Sequence, residues 1–260
     1  MPNSVPSLEE VATITDPGDV GREDHTWGDR LVVNVANFFA WIYPLLIVCI
    51  VAQILLRLSG HNQAWLDDLQ WWIYGVAVLA GFGYAIVTNS HVRVDIFYDN
   101  YDDAKKARTE VFALGWLLLP FIVIMTDILL HYSISSWQAL EGSDSPNGLH
   151  RLYLLKTMLP VLFITAGIGA WSAFYRNLKK LTEPLLWKQL LAAFPATLML
   201  FERIVHYAAY WFYRITQPDI PWRRVDREPF FEYTTWVSIA LIILVVGILY
   251  FLGSKSKEQR

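Results

Sequence analysis

The chain has 260 residues, of which 55% are hydrophobic and 17% charged, whereas a soluble globular domain carries about 25% charged residues. Its formal net charge of −3 is too near neutral to favour nucleic acid or another polyanion as a partner. The single cysteine, Cys49, excludes an intrachain disulfide framework.

Residues 1–30 are polar and form a tail. The apolar run after them is too long for the 7–15-residue core of a signal peptide and lacks a small-residue cleavage site, so the first span is expected to stay in the mature protein. A helix crossing the hydrocarbon needs about 20 mostly apolar residues. Stretches 31–58, 66–88, 111–132 and 152–175 meet that need, and 233–252 meets it without a single charge. Residues 185–214 are ambiguous: the apolar core 190–201 contains Pro195, and Glu202, Arg203 and His206 follow. That segment either crosses with its charges turned toward protein or lies along the surface as an amphipathic helix. The fold predicted is an all-α integral membrane helical bundle, with four core transmembrane helices and a C-terminal extension holding one or two more. Its parts are the tail 1–30, a four-helix membrane domain 31–184 and an extension 185–260.

Orientation follows from lysine and arginine. Ten lie on one side of the first four spans (Arg22, Arg30, Arg93, Lys105, Lys106, Arg108, Arg176, Lys179, Lys180, Lys188), and Arg57 and Arg151 lie on the other. The positive-inside rule then places the N-terminus of this multi-pass protein in the cytoplasm. In the extension, four basic residues before the last span face three after it, which decides nothing. Five spans would leave the C-terminus outside; six would return it to the cytoplasm.

Small residues let helices approach closely in lipid. Ala77, Gly81 and Ala85 in the second span, with Gly83 nearby, and Ala166, Gly169, Ala170 and Ala173 in the fourth mark these two as the closest pair. Asp127 near the outer end of the third span and Lys156 one turn into the fourth fall at similar depth, and an Asp127–Lys156 ion pair is expected. A stand-alone carrier or channel would need polar groups along a path and broken helices at the midplane; Pro44, Pro120 and Pro160 are isolated. A cytochrome b-type subunit would need two haem-ligating histidines on facing helices, and only His131 and His206 fall in or near spans. No phosphate loop, nucleophile or metal constellation is present, so neither enzyme activity nor a cofactor is expected.

Three local patterns occur in order. Ala64-Trp65-Leu66-Asp67-Asp68 opens the second span, and Asn89-Ser90-His91-Val92-Arg93-Val94-Asp95 closes it; Ser136-Trp137, Glu141, Gly148-Leu149 and Leu154-Leu155-Lys156-Thr157-Met158-Leu159-Pro160 lead into the fourth. Together, over residues 31–180, they resemble the small membrane subunit of the tripartite ATP-independent periplasmic (TRAP) transporters, the DctQ type. The style is nearest to the branch labelled for mannitol, chloroaromatic or related organic acids. The resemblance implies a non-catalytic scaffold for a large TRAP membrane subunit, which imports, coupled to ions, a solute that is often a carboxylate and is delivered by a periplasmic solute-binding protein. It also implies structural or subunit-contact roles for His91, Arg93 and Asp95. Asp67 and Asp68, beside Trp65, complement a helix N-terminus or, alternatively, dock the binding protein. Residues 185–260 have no counterpart in the usual four-helix subunit. The remaining partner expected is membrane lipid.

Overall fold

The computed structural model describes residues 22–90, 98, 100–222 and 224–258, and among them every regular element is helical. In chain order these are α1 (Trp27–Ala40), α2 (Ile42–Leu58), α3 (Ala64–Thr88), α4 (Asp103–Phe112), a π-helical stretch (Ala113–Leu118), α5 (Leu119–Ala139), α6 (Leu152–Lys179), α7 (Leu186–Ala192), α8 (Phe194–Thr216) and α9 (Thr234–Glu258). Among the described residues, five stretches are long and apolar enough to cross a membrane: Trp27–Leu58, Ala64–Thr88, Asp103–Ala139, Leu152–Lys179 and Pro229–Gly253. The ambiguous segment is α7 and α8, bent by 98° where they join.

Proline accounts for two irregularities. Pro44 has no N–H to give the Ala40 carbonyl, and its ring crowds that oxygen, so the first span breaks into α1 and α2 around a turn at Trp41. Pro120 stands in the same relation to the Trp116 carbonyl, and the chain before it widens into the π-helical stretch. Pro160 lies inside α6, which runs on without interruption.

The described residues divide into two compact units. The first holds those of Met1–Val94 together with Leu129–Arg176. In it α2 packs on the first half of α3 through Cys49, Leu66 and Ile73, flanked by Leu46, Leu56 and Leu69. At the other end of α3, Val32 of α1 is 1% exposed and fills a hollow between α3 and α6. A methyl group added at Gly83 would lie 3.1 Å from Val32 Cγ1 and 3.5 Å from Ala166 Cα. One added at Gly169 would lie 2.9 Å from Val87 Cγ2 and 3.2 Å from Val32 Cγ2. Helices α3 and α6 therefore approach at Gly83 and Ala166, while Gly81, which the spacing placed in this seam, faces open space.

The second unit comprises the described residues of Asp95–Ile128 and Asn177–Arg260. The Trp116 indole N–H donates to the Ala192 carbonyl at 2.9 Å, and eleven residues further along each segment Asp127 meets Arg203, so α8 runs parallel to the third span. The last helix runs the opposite way: Trp187 packs against Tyr250 at 5.5 Å, and the Thr235 hydroxyl donates to Glu202 at 2.6 Å. The sharp bend exposes carbonyls at the end of α7 that have no helical partner. Trp116 takes that of Ala192, and the Thr197 hydroxyl takes that of Leu190 at 2.9 Å. Pro195, at the first turn of α8, has no N–H to leave unpaired there.

Gly169→Val should overfill the Val32 hollow and lower stability by about 1–3 kcal/mol, read as an earlier thermal unfolding transition in detergent. Gly81→Ala, with room for its methyl and better helix propensity, should leave that transition unchanged or raise it.

Candidate functional site

Among the described residues, three clusters of polar groups stand on or beside the apolar helices. One lies at the start of α1. Thr26 caps this helix, and Asp29 in its first turn closes a capping box: Asp29 Oδ2 accepts from the Thr26 N–H and hydroxyl, both at 2.8 Å. The Asp29 side chain is fully buried, and its other oxygen lies 3.4 Å from Arg176 Nη2. That contact is an ion pair without hydrogen-bond geometry, for Oδ1 has no hydrogen-bond donor. The same Nη2 donates to the Val87 carbonyl at 2.9 Å, one of the last carbonyls of α3, which no helical N–H reaches. One guanidinium thus ties α1, α3 and α6 together, a turn beyond the Val32 hollow. His25 is buried beside it, and burial holds its imidazole below the ordinary value, with Asp29 opposing.

A second cluster lies at the far end of the same unit. Arg57 Nη2 contacts both oxygens of Asp67 at 2.9 and 2.7 Å across the α2–α3 turn, an exposed pair of small energetic worth. Trp65 donates to Gln63 Oε1 at 3.0 Å. Asp68 accepts from the Leu149 N–H at 2.8 Å, pinning the segment before α6 to the start of α3. Gly148 belongs to this pin, because a side chain there would collide with Asp68 and Ser143. Lys156 Nζ bonds both oxygens of Glu141, at 2.6 and 2.5 Å, and lies 3.9 Å from the centre of the Tyr132 ring. Beside it the Trp137 indole donates to Thr157 Oγ1 at 2.7 Å and packs against Tyr153.

The third cluster belongs to the second unit. Asp127 accepts from the Tyr207 hydroxyl at 2.5 Å and lies 3.5 Å from Arg203 Nη1. His206, on the same helix, lies 3.5 Å from Asp226.

The expected Asp127–Lys156 pair is therefore corrected on both sides. Lys156 takes Glu141, an acid at the edge of the fourth span's lead-in, and Asp127 takes Arg203 and Tyr207 of α8. Asp67 and Asp68 reach beyond their own helix N-terminus, to Arg57 and to the Leu149 amide. His91, Arg93 and Asp95 lie outside the described residues. The residue that sequence reasoning missed is Asp29. Its signal was Thr26 three positions before an acid at the head of an apolar run, while Arg176 was read only as one more cytoplasmic charge.

Removing Arg176 leaves a buried carboxylate without its counter-charge. Arg176→Ala should cost about 3–5 kcal/mol in thermal unfolding, and adding Asp29→Asn should recover part of that loss. The Lys156 hydrogen bond, followed by Ser136, holds the Glu141 carboxyl below its ordinary value of 4.5. A depressed folded-state value means that its stabilising effect is present at and above the ordinary value and is lost as pH falls through the folded one. Amide exchange in residues 140–151, corrected for intrinsic rate, should stay slow down to that range and accelerate below it. In Glu141→Gln it should be fast throughout.

No curated protein and no solved structure matches the chain. One family model does, over residues 46–180, and that stretch contains α3, α6 and the whole second cluster, Asp68, Glu141 and Lys156 included. The chain belongs to the family described as "Tripartite ATP-independent periplasmic transporters, DctQ component", the small membrane subunit of these systems.

Proposed function

We propose that this chain braces a large, mobile TRAP membrane subunit during ion-coupled import of an organic solute, a carboxylate by preference, delivered by a periplasmic binding protein. The observation that carries this reading is how the first unit uses its charges. Asp29 and Arg176 join three helices, Asp68 fastens a loop, and Lys156 is held by Glu141. Each charge serves the helix scaffold, whereas a solute path needs charges that face a cavity. Only 11% of the most apolar window of the first span is buried within the chain, leaving broad apolar sides for another membrane subunit.

Six crossings with both termini in the cytoplasm follow from the same reading. The direction of α8 along the third span, and of α9 back against it, supports a crossing by α8, while α7 meets the end of α9 on the side where α6 ends. A C-terminal fluorescent-protein fusion should then fluoresce, and a C-terminal alkaline phosphatase fusion should be inactive. The reverse pattern would mean five spans.

Transport is tested by reconstitution with and without the large subunit and the binding protein. Uptake should require all three, and Arg176→Ala should lower co-purification of the large subunit and uptake together. Uptake by this chain alone would overturn the scaffold reading.

A further inference from the structure

In the second unit, α7 and the start of α8 do not close against α9. Between Trp187, Leu191 and Phe194 on one side and α9 from Ile239 to Tyr250 on the other runs an open groove of about 340 Å³. Its lining is apolar, and no heavy atom lies within 4 Å of where a Cβ at Gly247 would project. From Ile239 to Tyr250 the helix rises about 17 Å, close to the roughly 15 Å depth of one leaflet of hydrocarbon. The groove thus begins at mid-span and ends at the membrane edge, where Trp187 and Tyr250 meet edge to face. Such rings mark the headgroup level.

A cation stands at that end. Lys188 Nζ lies 5.7 Å from the centre of the Trp187 ring and donates to Thr182 Oγ1 at 2.6 Å. Lys179, the last residue of α6, and Lys180, which follows it, are exposed. The geometry points to a binding site for one anionic phospholipid, its acyl chain lying along Gly247 and its phosphate held by Lys188. Length, apolarity and the position of the charge fit this occupant together. A partner helix does not fit, because it is about 10 Å across with its side chains and far exceeds 340 Å³ over this length. The site is a property of the extension, which lies beyond the family match at residues 46–180, and it does not depend on what the large subunit carries.

The test is competition by native mass spectrometry on the full chain, delipidated in detergent and then given phosphatidylglycerol or phosphatidylcholine with identical acyl chains. The wild type should retain one phosphatidylglycerol in preference to phosphatidylcholine. Lys188→Gln should weaken that preference about fivefold, the worth of one lysine near an anionic surface, while still holding either lipid. Gly247→Trp should abolish retention of both. Leu244→Trp, at an exposed position on the same helix, controls for added bulk and should behave as wild type. Helicity by circular dichroism is followed in parallel, and because Lys188→Gln changes only an interfacial side chain, it tests the site even if Gly247→Trp misfolds. Equal retention of the two lipids by wild type would overturn the proposal, as would a preference unchanged in Lys188→Gln.

Discussion

Hydrocarbon offers no hydrogen bonds, so a polar group that enters it must find its partner within the protein. The departures from regular helix among the described residues free polar groups that this constraint requires to be met. Pro44 ends one helix and begins another, and Pro120 forces a π-helical stretch beforehand. Where α7 turns by 98° into α8, an indole and a hydroxyl take the carbonyls that the turn sets free. One of these partners comes from the third span and the other from the first turn of α8 itself.

The same constraint explains why the charges bind helices together. Arg176 accomplishes with one side chain what two unrelated contacts would otherwise do: it answers the buried Asp29 and takes a terminal carbonyl of α3. A lysine at this place would offer a compact, more strongly hydrated charge, less suited than a guanidinium to a buried ion pair. Next to this clamp, Val32 fits against Gly83 and Gly169. Close packing in lipid gains little from the hydrophobic effect, since the tails are as apolar as the side chains, and the ion pair gives that packing a defined register.

How much of this was readable in advance depended on distance along the chain. The charge-free run at 233–252 and the four earlier spans followed from composition, since length and apolarity suffice to define a crossing. The partner of Asp127 did not, because Tyr207 and Arg203 lie 80 and 76 residues away, on a helix whose crossing was itself ambiguous. Lys156 was misassigned for a related reason. Depth alone points to Asp127 as its acid, whereas Glu141, fifteen residues before it, is the acid that reaches it. Gly81 and Gly83 differ by two positions and hence by more than half a turn of helix; spacing marked both, and only packing distinguishes the one that faces α6 from the one that faces open space.

Helix α8 shows why its sequence resisted assignment. Glu202, Arg203 and His206 would make an exposed face expensive in lipid, and a plain hydropathy reading counts them against a crossing. In the folded unit they point to three different places: Glu202 to Thr235 of α9, Arg203 to Asp127 of α5, and His206 to Asp226 in the connection beyond α8. At 3.6 residues per turn the three fall within about 100° of the helix circumference, and each meets a different protein partner there. The same pattern on a surface-lying helix would gather those residues toward water and headgroups. Their separate protein partners lower the cost of placing these charges beside an apolar run.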